Sequence, residues 1–282
     1  EDKREWEFFG LDSTLNILWV SKINIDQSFV LLKTTTYKSG IYFLFSNPRD
    51  RLNLILIAMN AKGEMASGII SNTIPFTLTH FKASRKGVLI GGLYNSRPLV
   101  IYYMLESNKS IILPGFYHEK IELIELKINA DQSIEIVLSA SSYRIRNKLI
   151  LFVKSFDSDG NLIKDVMLED KKDKEDLLFG RSYHRSNGVQ VVAGTYGARR
   201  SNYSRGLFLS NIDIAGNYDV KFYNYGEMEN FFKFMSVRRE SRIKRRVERR
   251  KLKNKKLRFN YRFLVHEIFD KDGEYIVVGE AI

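Results

Sequence analysis

Cysteine is absent from all 282 residues, which removes disulfide frameworks, thiolate zinc sites and cysteine nucleophiles together. Proline is almost absent as well, at four residues. With aromatics at 13%, this excludes a collagen-like chain or a disordered tail. No apolar run is much longer than Leu99–Leu105, far short of the ~20 residues of a membrane-spanning helix. A chain of this length buries roughly 75% of the surface it exposes when unfolded. One large domain over residues 1–282, with a core that needs no metal or disulfide, is therefore expected.

Motifs for chemistry are also missing. The four histidines, His80, His118, His184 and His266, show neither HExxH nor HxH spacing. No Gly-x-Ser-x-Gly elbow, Walker lysine loop or GxGxxG occurs, so hydrolase, nucleotide and dinucleotide chemistry has no motif behind it. Asp157–Asn161 (DSDGN) and Asp270–Glu274 (DKDGE) cluster oxygen ligands but lack the distal glutamate of a calcium loop, and they read as hairpin turns. The mixed-charge run Glu169–Asp176 reads as a solvated loop between strands. No catalytic residue, metal ligand or cofactor is assigned.

What the chain has is cationic charge, concentrated in one place. The net charge is +12, yet Arg238–Arg258 alone holds thirteen cations and only Glu240 and Glu248 as acids, a local charge of +11. The other 261 residues are nearly neutral. This stretch lacks glycine and proline and is rich in helix formers, so a helix is expected. Its apolar stripe is thin: Ile243 and Val247 share a face, whereas Leu252 and Leu257 drift off it. Just upstream, Met228, Phe231, Phe232 and Met235 recur at helical spacing and predict a short anchored helix over Glu227–Met235.

The remainder is patterned as strands. Lys22–Ser28 (KINIDQS) returns almost unchanged as Lys127–Ser133 (KINADQS), each copy followed by an apolar strand. VLIGGLY from Val88, VQVVAGTY from Val189 and YIVVGEA from Tyr275 share β-formers ahead of Gly92, Gly194 and Gly279. Strand starts at 29, 88, 134, 189 and 275 give a period near fifty residues, the range of four-stranded propeller blades. Cutting at those starts yields four blades, with FTLTHFKA, KIELIELKI, LLFGRSYH and YRFLVHEIF as fourth strands. On these cuts His80 and His184 take matching places, which favours a structural role for both. Gly63, Gly160, Gly216 and Gly273 supply the positive-φ residues of tight hairpins, so the sheets are antiparallel meanders. NILWVSKIN at the start and EYIVVGEAI at the end stand where a fourth and a first strand belong.

On these strands and glycines the chain resembles the β-propeller superfamily over nearly its whole length. The resemblance implies an all-β fold: a β-propeller of four-stranded antiparallel blades, with a basic helical insertion at 227–258 inside the last complete blade. It has neither the Trp-Asp dipeptide of the WD repeat nor a recurrent kelch double glycine, and it is similar to exported bacterial propellers that carry no assigned activity. It brings no catalytic residue with it; propellers commonly serve as rigid platforms for protein contacts, and their blade-face loops bind partners.

These readings converge on a non-catalytic interaction subunit that docks onto a protein partner in a multi-subunit complex. The residues expected to hold the partner are Arg238, Arg239, Arg242, Lys244, Arg245, Arg246, Arg249, Arg250, Lys251, Lys253, Lys255, Lys256 and Arg258, with Arg199 and Arg200 of the loop GARRSNYSR. Nucleic acid or another polyanion tethered by the basic helix is one alternative. An enzyme site in the propeller channel is another. No aromatics interleave the cations, which disfavours base stacking. A start at Glu-Asp-Lys-Arg leads to the expectation of a processed, exported protein in a cell-envelope, membrane-associated complex, with a cytoplasmic scaffold as the alternative; no small-molecule substrate is identified.

Overall fold

A computed structural model describes residues 2–50, 52–71, 74–116, 121–142, 145, 148–172, 174–185, 187–255 and 257–281. His118 and Lys256 lie outside the described residues. In chain order the strands are β1 (Lys3–Leu11), β2 (Ile17–Asp26), β3 (Val30–Tyr37), β4 (Gly40–Ser46), β5 (Asn53–Met59), β6 (Met65–Ser71), β7 (Thr77–Ala83), β8 (Gly87–Tyr94), β9 (Arg97–Met104) and β10 (Lys109–Ile112). They continue as β11 (Ile121–Ile128), β12 (Ile134–Ser141), β13 (Leu149–Phe156), β14 (Leu162–Leu168), β15 (Asp176–His184), β16 (Gln190–Gly197), β17 (Ser204–Ile212) and β18 (Tyr218–Asn224). A 3-10 turn (Tyr225–Glu227), the helix α1 (Val237–Leu252), β19 (Phe263–Lys271) and β20 (Glu274–Ala281) complete the chain.

β3–β6, β7–β10, β11–β14 and β15–β18 each form a four-stranded sheet in chain order, which is the blade of a β-propeller. β1–β2 and β19–β20 form two-stranded sheets. The fold class is therefore the all-β propeller type expected from the sequence, with one basic helix near the C-terminus. Three details differ. The second, third and fourth blades each begin one strand earlier than the sequence cuts, so FTLTHFKA, KIELIELKI and LLFGRSYH are first strands, while the first blade begins at the expected strand and is completed by β4 (GIYFLFS). His80 and His184 accordingly lie in first strands but not at matching places: His80 follows the bulge in mid-strand and pairs with Gly91, whereas His184 ends its strand opposite Gln190. The basic insertion falls between β18 and β19, after the last complete blade and not inside it.

The chain divides into two compact units: Glu1–Glu119, Leu126–Ile134 and Phe156–Leu162 in one, Lys120–Glu125, Glu135–Ser155 and Ile163–Ile282 in the other. The first unit buries Leu44, Leu56, Ile70, Phe81, Ile90 and Tyr103 as a core between its blades. In the second, Val137, Leu151, Leu168, Val192, Phe208 and Ile212 do the same.

One turn recurs and explains much of the register. At 12–16, 60–64, 129–133, 157–161, 185–189 and 213–217 the first residue's N–H donates to the fifth residue's carbonyl, and the fourth residue's N–H donates back to the first residue's carbonyl. The fourth residue has positive φ in all six, supplied by glycine at Gly63, Gly160, Gly188 and Gly216 but by Leu15 (67°) and Gln132 (71°) in the others. This is the three-residue hairpin loop with a left-handed fourth position. In the DSDGN turn the Asp157 carboxylate accepts Asn161 N–H and Asn161 Nδ2 at 2.9 and 2.8 Å, so it serves as a turn cap. The two KIN-DQS copies both fold as Asx turns, Asp26 capping Ser28 N–H and Asp131 capping Ser133 N–H, yet the first joins two sheets and the second closes a hairpin within one.

The shared glycines have a steric reason. Gly92, Gly194 and Gly279 lie on second strands, opposite first strands that carry a β-bulge at Leu78/His80, Leu177/Phe179 and Val265/Glu267. A Cβ there would run into the carbonyl oxygens of Thr77, Phe179 and Leu264 respectively. The bulge brings the neighbouring backbone too close for any side chain.

Candidate interaction surface

α1 starts at Ser236, whose backbone carbonyl accepts Arg239 and Glu240 N–H, and it ends where Asn254 turns left-handed at φ 47°. At roughly 100° per residue, Glu240, Ile243, Val247 and Arg250 share the inward side, and these are the helix residues, with Ser241, that lose exposure. Val247 is buried over Gly226, where a Cβ would stand 3.2 Å from Val247 Cγ2 and 2.9 Å from Leu257 Cδ1. The helix is therefore seated, not a free arm.

The seat is aromatic. Tyr225 stacks on Phe231 at 4.2 Å and meets Tyr261 edge-on at 5.7 Å, while Phe232 packs against Phe259 at 5.2 Å. Residues 228–235 follow these contacts as a run of tight turns, with Lys233 N–H bonding Asn230 O and Met235 N–H bonding Phe232 O, in place of the short helix expected there. Tyr225 is fully buried and shares a 2.8 Å hydrogen bond with Ser204 Oγ; burial pushes its phenol pKa up to about 12. Ser204 N–H in turn bonds Tyr261 O at 2.8 Å and Tyr261 N–H returns to Ser204 O at 3.2 Å, which staples the segment after α1 to β17.

The outward side is cationic. Arg238, Arg242, Arg245, Arg246, Arg249 and Lys253 fall within an arc of roughly 100° and run about 22 Å along the axis, and with Arg250 and Lys255 they line one open groove. All but Arg250 are exposed. Arg239, Lys244 and Lys251 flank this face; Lys244 is partly occupied by Glu240 at 2.7 Å, and Arg258 is exposed in the stretch that follows. Large apolar side chains are exposed on and just before the helix, Phe234, Val237 and Leu252 at 68%, 78% and 86%, and Leu252 falls at the edge of the cationic arc. Leu252 drifts off the helix's apolar stripe, and that drift is the one signal that placed any of them outward.

Arg199 and Arg200 stand on a different element, the exposed β16–β17 loop, and α1 does not include them. Both are tied to the buried Asp176: Arg200 N–H bonds its carboxylate, and the Arg199 charge opposes the desolvation that holds the Asp176 pKa up. The run Glu169–Asp176 is more constructed than a solvated loop, since Asp170 is buried and its carboxylate accepts Lys172, Lys174 and Glu175 N–H. His184 Nδ1 meets the fully buried Glu135 at 3.1 Å, and Glu125 holds Arg181 at 3.5 Å and Ser182 N–H at 2.7 Å. These pairs hold first strands to their neighbours. Among the described residues no cluster of three or more His, Asp or Glu fit to bind a metal occurs.

No protein-family model and no curated protein matches the chain. Solved structures similar to it include the β-propeller domain of the Trilobed protease from Pyrococcus furiosus, with 12% identity, a TM-score of 0.48, and coverage of 70% of this chain and 59% of that one. Pyrococcus horikoshii acylaminoacyl peptidase matches with 9% identity and a TM-score of 0.45, over 70% of this chain and 32% of that one. The Dos1 propeller matches with 12% identity and a TM-score of 0.41, over 78% and 65%. The chain spans less than two thirds of each of these. Its assignment to the propeller type rests on its own four consecutive four-stranded meanders.

Proposed function

We propose that this protein is a non-catalytic interaction subunit that docks onto an acidic protein partner through the outward face of α1, within a multi-subunit assembly. The observation that carries this reading is the make-up of that face: arginines in a continuous row, with the exposed Leu252 at the edge of the same arc. Guanidinium groups pair carboxylates bidentately, and arginine with large apolar anchors is the usual composition of protein hot spots. A nucleic-acid backbone would engage the cations and leave the exposed Leu252 without a role.

The test is co-purification from native cells of wild type and an R242E/R245E/R249E variant at low and high salt, with proteins and nucleic acid both identified. An acidic protein recovered with wild type, lost with the variant, and bound directly by the purified chain supports the reading. Nuclease-sensitive RNA or DNA recovered in its place overturns it. Fractionating the same cells into envelope and soluble material tests the compartment.

A further inference from the structure

A second site lies away from α1's outer face. Within the second unit a cavity of about 450 Å³ is walled by first-strand residues of three successive sheets: Ile121 and Glu122 of β11, Leu178 and Phe179 of β15, and Phe263 and Leu264 of β19. This is a ligand-sized volume. Of its polar side chains Ser204 is committed to the Tyr225 hydroxyl and the Tyr261 carbonyl, and the others are idle. Glu122, Ser139, Thr195 and Asn202 make no side-chain hydrogen bond or ion pair, although Ser139 and Thr195 are only 8% and 2% exposed. Arg262 lies over the Tyr203 ring, 5.7 Å from its centroid, a cation–π contact that leaves its N–H donors open.

The Ser139 and Thr195 side chains are nearly buried but their hydroxyls stay open to the cavity, where their partner must come from solvent or a ligand, and the Glu122 and Arg262 charges are exposed at the same cavity. Here Glu122 and Arg262 stand further apart than the 4.0 Å of an ion pair, with an apolar wall and two free hydroxyls in the same cavity. A ligand that satisfies all of these carries an ammonium for Glu122, a carboxylate for Arg262, an apolar body, and amide groups for Asn202, Ser139 and Thr195. We infer that this cavity binds a short apolar peptide by its two charged ends. Among the described residues that line it, Glu122 is the only acid.

Titration of the full-length chain with Leu-Leu, followed by calorimetry and by amide chemical shifts, tests this. Saturable binding that shifts the Ser139 and Thr195 amides is expected. N-acetyl-Leu-Leu-amide, which lacks both charges, and the E122Q and R262Q variants should each weaken it at least about tenfold, the scale of one charged hydrogen bond. Both side chains are exposed, so the variants keep the fold, and unchanged spectra outside the cavity verify that. Isosteric T195V gives a second reading from inside the cavity and should also weaken binding. Absence of saturable binding overturns the inference, as does equal binding of the blocked peptide, or affinity unmoved by E122Q and R262Q.

Discussion

Replacing Val247 with aspartate should melt α1 and leave the blades folded. The helix has little to hold it locally. Arg238–Arg242, Arg242–Arg246, Arg245–Arg249, Arg246–Arg250 and Arg249–Lys253 are five like-charged pairs at i,i+4, together costing about 1–2.5 kcal/mol against about 0.3–0.5 kcal/mol returned by Glu240–Lys244. Ser236 makes no side-chain cap, and Arg238 and Arg239 sit at the positive end of the dipole. Sixteen residues are marginal for an isolated helix even without such repulsion. What remains is the seat, where burying one valine contributes about 1.5–2 kcal/mol, so V247D removes that and places a carboxylate over Gly226. Hydrogen exchange read by mass spectrometry should show amides 241–252 losing protection while those of β11–β18 keep theirs. V247I should retain it, and 1 M salt, which screens the repulsion to about 3 Å, should restore part of it. Protection of 241–252 unchanged in V247D would refute the argument that the seat holds the helix, and cooperative loss across all blades would refute the argument that the helix is peripheral.

Other outcomes follow from the turns and sheets. Leu15 is left-handed at φ 67° and 77% exposed, so Leu15→Gly relieves about 1–2 kcal/mol of backbone strain against about 0.5–1 kcal/mol of unfolded-state entropy, and the denaturant midpoint should hold or rise. Gly216→Ala at the equivalent place of another turn, φ 86°, should lower it by the same strain, because a Cβ there meets only Val166 at 3.5 Å. Gly194→Ala should cost about 1–3 kcal/mol by overpacking, since its Cβ overlaps the Phe179 carbonyl; a stability equal to wild type would contradict the bulge argument. Hydrogen bonds from Thr14 and Asn16 hold the exposed Asp12 carboxyl down at about 2, from an ordinary 3.8. A depressed folded pKa stabilises the β1–β2 turn above the ordinary value and loses that contribution as pH falls through about 2, so the Thr14 and Asn16 amide shifts should titrate there, not near 4.

The strands were legible because the second, third and fourth blades each contain one that is apolar on both faces. β8, β12 and β16 are buried along nearly their whole length, and they stand out from half-buried neighbours. That same prominence misplaces the cuts, which fall at the most apolar strand, whereas that strand is the blade's second, between two partners. The basic helix was visible in composition alone. Its seat was not, because Tyr225, Phe259 and Tyr261 meet across an insertion of some thirty residues that reads as unrelated charge. The cavity groups were least legible. Glu122, Ser139, Thr195, Asn202 and Arg262 come singly from different segments, and each is an ordinary polar residue until the sheets bring them together.

The placement of charge in α1 bears on what it is for. Any of the five like-charged pairs could be relieved by a neutral side chain at no cost to the seat, since Arg238, Arg242, Arg245, Arg246 and Arg249 all point away from it. The repulsion is therefore an outward-facing property that an anionic ligand cancels, and by linkage whatever binds this face stabilises the helix that presents it. A partner's carboxylates should then raise the protection of amides 241–252 in wild type, and should recover part of it in V247D, where the seat is broken but the cations remain. Helix order and partner occupancy would thus rise together. A partner that binds tightly but leaves exchange in 241–252 unaltered must be held elsewhere, and the loop carrying Arg199 and Arg200 would be the next surface to test.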